Sequence, residues 1–227
     1  MPLPLILLGE VDSTQAFLER HPELGFCGVL AGAQTLGRGT RGNTWESAQG
    51  AGLWLSAAIP IPPVAPGLVL QRAMAAVAEA LEPCGVALGL KWPNDLVAWK
   101  GDRLVKLGGI IGIAKEDRMI LGAGVNLLSA PVIPGRAIPP ACMAELSAGS
   151  VPPARALAHA ILDAWEDLGT HREPAFLWPA EGDAIQWEEG QGVCQGWMED
   201  GRLLVRTARG LEGLTGGDIR GLNFINA

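Results

Sequence analysis

Basic charge is what this sequence is short of. Lysine and arginine number 17 against 24 aspartates and glutamates, a formal net charge of −7 over 227 residues. Sequence-independent phosphate binding needs a basic face, so this balance argues against a general nucleic-acid binder, and any nucleotide held is expected to be a small molecule. Cysteine is sparse as well. The four residues, Cys27, Cys84, Cys142 and Cys194, form no CxxC pair, so neither a zinc site nor a redox motif is suggested. No apolar run reaches the ~18 to 20 residues of a membrane span. The short apolar run near the N-terminus lacks the basic flank and the length of a secretory signal, which leads to the expectation of a soluble, cytoplasmic protein. Tyrosine is absent beside eight tryptophans and four phenylalanines, a usage to which no function attaches. The length allows one full core and a small appended domain.

What is present is organised around residues 28–45, GVLAGAQTLGRGTRGNTW. An apolar, strand-like run breaks into a loop that has three glycines, two arginines and no hydrophobic residue between Leu36 and Trp45. Glycine lets backbone approach a ligand closely, and arginine offers a planar charged fork that matches phosphate or carboxylate oxygens. An anion is the natural guest, and a plain glycine-rich surface hairpin is the competing reading. Gly37-x-Gly39-x-x-Gly42 also fits the dinucleotide fingerprint by its letters, but that motif needs a helix opening at the third glycine. The segment NTWESAQGAG that follows is loop-like.

Taken in order, residues 3–8 read as a strand, and Asp12, Ser13 and Thr14 offer capping oxygens to a helix reaching about Arg20. Residues 27–33 and 53–59 are further strands. Leu70, Met74, Val77 and Leu81 recur at helical spacing, which predicts an amphipathic helix over 67–82 stopped by Pro83 and Gly85. A strand over 86–90 delivers KWPND, Lys91 to Asp95, where Pro93 should break or turn it. Segments 96–99, 103–114 and 119–127 are separated by turns too short for helical crossovers, so they should pair antiparallel. Residues 130–153 are expected to wrap the surface, and Leu157, Ile161, Trp165 and Leu168 predict a second helix over about 153–169. After Pro179 the texture changes to short strands with close turns, including a hairpin signal at Glu199-Asp200-Gly201. The expected division is a main domain over 1–178 and a small β domain over 179–227.

Further polar clusters interrupt these apolar strands: KWPND, Lys106 within VKLGGIIGI, and Asn126 closing GAGVN. An ammonium buried without a partner is costly. Lys106 therefore reads either as a site residue or as a lysine guarding an edge strand. Gly108 and Gly109 favour the first reading, since strand glycines often mark close approach of a ligand.

Together, DSTQAFL (12–18), Gln34 before GRGTRGNTW, KWPNDL (91–96), KLGGII (106–111) and GAGVNL (122–127) resemble the catalytic domain of biotin protein ligases, within the biotin/lipoate protein ligase superfamily. The resemblance covers nearly the whole chain. It implies an α+β fold, with helices on a mixed, largely antiparallel sheet and a small C-terminal SH3-like β-barrel. It also implies a two-step acyl transfer: ATP, with Mg²⁺, converts biotin to biotinyl-AMP, and a lysine of a biotin carboxyl carrier domain displaces AMP. By the same likeness Ser13, Thr14 and Gln34 bind the biotin head group, with Gly108 and Gly109 lining its pocket. Gly37, Arg38, Gly39, Arg41, Gly42 and Trp45 close over adenylate and pyrophosphate. Lys106 and Arg38 are the catalytic residues, Lys106 neutralising charge around the carboxylate and α-phosphate. Lys91, Asn94 and Asp95 shape the nucleotide and Mg²⁺ region, Asp95 as the metal's carboxylate, and Asn126 lies on the nucleotide side.

The family's loop reads GRGRxGRxW, and this sequence departs from it at Thr40 and Asn43. Because strand-like sequence begins at Leu3, no DNA-binding helix-turn-helix is expected, and with it no nucleic-acid or membrane partner. Relatives can pair sheet edges to dimerise or to dock the carrier. The alternatives to biotin ligation are a lipoate or octanoate ligase, and a weakly catalytic relative that binds a ligand or carrier. GRG with KWPND favours biotin.

Overall fold

A computed structural model describes residues 2–170 and 175–222. In chain order the main elements are β1 (Leu5–Val11), α1 (Thr14–Arg20), β2 (Cys27–Gln34), β3 (Gly52–Pro60), α2 (Pro66–Leu81), β4 (Leu88–Lys91), β5 (Asp95–Lys100), β6 (Arg103–Lys115), β7 (Arg118–Asn126), α3 (Met143–Leu146) and α4 (Ala154–Trp165). Then come β8 (Phe176–Trp178), β9 (Ala184–Trp187), β10 (Gly190–Trp197), β11 (Leu203–Thr207), β12 (Gly210–Leu214) and β13 (Arg220–Gly221). No helix among the described residues is long and apolar enough to cross a membrane.

Eight strands form one sheet in the order β1-β2-β3-β7-β6-β5-β4-β8. The pairs β1–β2 and β4–β8 are parallel, and the five between them are antiparallel. Short turns explain the antiparallel centre, because a two- or three-residue connection can only reverse the chain. Helices cover both faces. α2 and α4 bury Met74, Val77, Leu81, Leu157, Ile161 and Trp165 against Leu53, Leu55, Ile59, Leu107 and Ile110. On the opposite face Leu18 of α1 packs with Val29, Ala58 and Ile120. The central strand β3 is consequently buried along nearly all its length, so its Ser56 is a polar group under a helix rather than a solvent-facing one.

The C-terminal strands form an open sheet in the order β12-β11-β10-β9-β13, and among the described residues neither of its edges meets the other. The expected β-barrel is therefore corrected to an open sheet. The physical reason is where its apolar face goes. Ile185, Cys194, Leu203, Val205 and Ile219 pack on Trp92, Val97, Leu104 and Trp178 of the large sheet. A sheet whose inner face is covered by a neighbour has no need to curl on itself to bury that face. The closing strand is short, two residues in β13, and positions 223–225 of the expected final strand lie outside the described residues.

Two local features aim the side chains that matter. The chain reverses at residues 92–94, so Lys91 and Asp95 lie opposite one another across β4 and β5. The β5–β6 ladder then slips by one residue between Leu96 and Val97. A bulge of this kind re-aims side chains. Leu107 and Ile110, three apart, both reach the core, while Lys106 and Gly109, also three apart, both face the same cleft.

Candidate active site

The N-terminal end of α1 sets one wall of that cleft. Ser13 caps the helix by accepting from the Ala16 N–H, and Asp12 accepts from the Ser13 N–H at 2.8 Å. Arg20 holds Asp12 through both guanidinium nitrogens, at 2.6 and 2.8 Å, and this bond keeps the Asp12 carboxyl down at about 2. With the turn fixed, Thr14 points to Gln34: its backbone N–H donates to Oε1 at 2.8 Å and its hydroxyl lies 3.1 Å from the same atom. That hydroxyl also meets Ser56 Oγ at 2.7 Å, and Gln34 Nε2 donates to Ser47 Oγ at 2.8 Å. Thr14, Gln34, Ser56 and Ser47, from four stretches of chain, thus form one buried polar network.

The arginine loop folds as a small hairpin over the cleft, closed by Trp45 N–H to Gly37 O and Gly39 N–H to Asn43 O, both at 2.8 Å. A side chain at Gly37 would lie 2.3 Å from the Trp45 carbonyl, so the close return of the hairpin requires glycine there. Arg38 reaches outward to Glu19 at 2.7 Å. Arg41 is exposed and takes a left-handed backbone, φ 56°. The Trp45 indole lies against Gly124 and within 5.5 Å of Lys106 Nζ, and its buried N–H has no hydrogen-bond partner. With that ring in place the free space is about 50 Å³, well below the ~300 Å³ at the small end of ligand pockets.

Charge is concentrated beside this ring. Lys106 Nζ is 2.6 Å from Asp95 Oδ1, and Lys91 Nζ is 3.7 Å from Asp95 Oδ2 and 3.8 Å from Asp218 Oδ1. Lys91 is 5% exposed and also sits 5.7 Å from the Trp178 ring centre. Burial pulls its ammonium below the ordinary lysine value, against the opposing pull of Asp95 and Asp218. Asn94 Nδ2 donates to the Ile110 carbonyl at 2.8 Å and fixes the turn. Two ammonium groups around one carboxylate leave a net positive pocket, suited to a phosphate or a second carboxylate.

Of the residues singled out in the sequence, Ser13, Thr14, Gln34, Arg38, Gly39, Trp45, Asn94, Lys106 and Gly109 line the cleft, and Asp95 and Lys91 join it through Lys106. Gly37, Arg41, Gly42, Gly108 and Asn126 do not line it. Gly108 instead abuts the Gly124 carbonyl within the sheet. Asn126 is buried, with Nδ2 on the Ala141 carbonyl and Oδ1 unpartnered. The structure adds Gln15, Thr40, Ser56 and the glycines of GAG, all lining the cleft, together with Asp218. A polar residue in the apolar strand LWLSAAI was the available signal for Ser56. A roomier hollow of about 330 Å³, walled by Leu7, Leu30, Leu127, Val151 and Pro152, carries no charge except Arg155 at its lining and lacks groups for acyl chemistry.

The residues at hand bear on a magnesium ion as follows. Mg²⁺ commonly takes one or two protein carboxylates and completes its shell with water and substrate phosphates. Asp95 and Asp218, both within 4 Å of Lys91, fit that modest share. No group of three or more His, Cys, Asp or Glu among the described residues makes a self-sufficient metal cage.

An α+β sheet with a glycine-arginine hairpin over a lysine-rich cleft defines a class of ligase domains, and the chain belongs to one such family: residues 11–126 match the model of the biotin/lipoate A/B protein ligase family. Among characterised proteins it is similar to the bifunctional ligase/repressor BirA of Bacillus subtilis, 37% identical over 111 residues, which is 45% of this chain and 33% of that one. It is also 34% identical over 110 residues to the biotin–[acetyl-CoA-carboxylase] ligase of Mycobacterium tuberculosis, 45% of this chain and 40% of the relative. The matches thus span well under half the length of these relatives. Among solved structures, the biotin protein ligase of Aquifex aeolicus in complex with biotin and ATP superposes with a TM-score of 0.74 at 26% identity, covering 96% of this chain and 97% of that one.

Proposed function

We propose that this chain is an acyl-adenylating enzyme that activates biotin with ATP and passes the biotinyl group to a lysine of a carrier domain. In the first step a biotin carboxylate oxygen attacks the α-phosphorus, the bond to the bridging oxygen breaks, and pyrophosphate leaves. In the second the carrier's neutral amine attacks the acyl carbon, the C–O bond to AMP breaks, and the amine loses a proton. The observation that carries this reading is the Lys106–Asp95–Lys91 cluster beside the Thr14–Gln34 network, in a fold superposing on an enzyme solved with biotin and ATP. Ser13, Thr14, Gln34 and Gly109 receive the head group, with Gly108 shaping the sheet behind it. Lys106 faces the carboxylate and α-phosphate, where electrostatic stabilisation has its largest effect. Lys91, Asn94 and Asp95 take the nucleotide side with Asn126. Asp95 is the carboxylate nearest to hand for a magnesium ion carried on the phosphates.

Entry of the acid requires the Trp45 ring to shift, and the loop then closes with Arg38 and Arg41 turned to the phosphates. Arg38 leaves Glu19 in that closure. ATP–pyrophosphate exchange with biotin, lipoate and octanoate offered separately tests the reading. Exchange with biotin is expected; exchange with lipoate or octanoate alone reassigns the substrate, and none from a folded protein rejects the activity.

Thr40 occupies a basic position of the family's loop pattern and lines the cleft. Without a charge-assisted bond there, the adenylate is held less tightly. Thr40→Arg is expected to slow adenylate release by roughly tenfold, a value set by one charged hydrogen bond. Rapid filtration after a single turnover without carrier reads the off-rate, and an unchanged rate removes Thr40 as the cause of leakiness.

A further inference from the structure

The cleft contains an unused acceptor. Gln15 is 2% exposed and lines the cleft with Thr14 and Ser56. Its Nε2 makes one long bond, 3.5 Å to the Ile120 carbonyl, and its Oε1 has no partner. The neighbouring polar groups are already matched, since Thr14, Gln34, Ser56 and Ser47 satisfy one another. A buried amide oxygen left unpaired carries a desolvation penalty that a ligand donor removes. A ligand without a donor leaves the penalty in place.

We propose that Gln15 is a specificity residue whose side-chain oxygen accepts a hydrogen bond from an N–H of the acid's head group. The inference deepens the biotin-activating reading and rests on it. A cyclic urea supplies N–H donors; the dithiolane of lipoate and the methyl end of octanoate supply none. Sites built to hydrogen-bond a polar group reject analogues lacking it far more strongly than apolar pockets reject size differences. Gln15 therefore separates the ureido acid from two acids of comparable chain length that share its carboxylate chemistry.

The test is calorimetric titration of the whole chain and of Gln15→Met, which keeps the side chain's length and removes its amide. The expected result is a loss of tenfold or more in biotin affinity, with octanoate affinity unchanged or raised and the KM for ATP unmoved. An equal loss for both acids marks a structural role and overturns the inference, as does an unchanged biotin affinity. A biotin analogue methylated on the ureido nitrogens adds a second comparison: its disadvantage against biotin should shrink in Gln15→Met, and an undiminished gap overturns the assignment. Should that variant lose its cooperative melt, Gln15→Asn retracts the oxygen while keeping the amide, and an unaltered biotin-to-octanoate ratio counts against Gln15. Wild-type protein that neither binds biotin nor exchanges pyrophosphate with it defeats the functional reading itself. Exchange with biotin alongside an unchanged selectivity ratio defeats Gln15 alone.

Discussion

Lys106→Ala is expected to lower biotin-dependent ATP–pyrophosphate exchange by about two to three orders of magnitude, the usual cost of deleting a preorganised electrostatic contact to a developing anion. The side chain is well placed for that contact: 2.6 Å from Asp95 at one side, under the Trp45 ring at the other, and 30% exposed toward the cleft. Lys91 cannot take over. It is almost fully buried, lies between Asp95 and Asp218, and is held by the fold rather than offered to substrate. The fold should survive the change, because the Asp95 carboxylate keeps Lys91 nearby and the Lys106 backbone remains bonded, its N–H to Pro139 and its carbonyl to Ala141 at 2.9 Å each. Relief of like-charge repulsion raises the Lys91 pKa, since Lys106 is one of the groups depressing it. The loss should fall on kcat more than on the KM for biotin, the pattern of an interaction strengthened in the transition state. Wild-type-like exchange by a folded Lys106→Ala protein would remove Lys106 from the chemistry.

Much of this arrangement was legible before any coordinates, for identifiable reasons. The β5–β6–β7 meander follows from turns at 101–102 and 116–117, and α2 from the spacing of Met74, Val77 and Leu81 with Pro66 and Gly85 at its ends. These are local signals. The parallel pairings of β1 with β2 and of β4 with β8 are not, because β8 is three residues long and its partner lies far back in the chain. Barrel closure failed as an expectation for the same reason: strand texture says nothing about which surface covers the sheet, and here Trp92 and Trp178 do. In the cleft, glycine and charge inside apolar strands pointed to Lys106 and Asp95. Gln15 and Asp218 escaped because a glutamine in a helix and an aspartate in a turn are ordinary. Their significance lies in an unpartnered oxygen and in a distance to Lys91 across two sheets.

That reach between the sheets leads to the second large effect, at Gly201. The hairpin turn signalled by Glu199-Asp200-Gly201 presses backbone to backbone on the start of α2. A Cβ at Gly201 would lie 2.3 Å from the Gly67 carbonyl carbon, and one at Gly67 would lie 2.4 Å from the Asp200 carbonyl oxygen. Neither partner is a side chain that could swing aside. The Gly201 carbonyl also accepts from Trp92 Nε1 at 3.0 Å and Gln71 Nε2 at 2.6 Å, so shifting the turn to make room breaks two bonds that tie the sheets together. Left-handed backbone, φ 87°, adds strain for any L side chain. Gly201→Ala is therefore expected to cost about 3 kcal/mol or more, a sum of overpacking, strain and weakened buried hydrogen bonds, lowering Tm by roughly 6–12 °C for a domain of this size. Gly182→Ala is the matched comparison: the same sheet, φ 93°, and nothing within 4 Å of the added carbon, so it bears the strain alone, about 1 kcal/mol. Activity should fall only in Gly201→Ala, even well below its Tm, because Trp92 stands between Lys91 and Asp95 in sequence and Asp218 approaches Lys91 only while the small sheet is docked. Melting curves and pyrophosphate exchange on both variants decide the matter. Equal Tm values would mean that the Gly67–Gly201 contact yields without cost, and a Gly201→Ala protein of lowered Tm but full exchange rate would separate docking of the sheet from the chemistry.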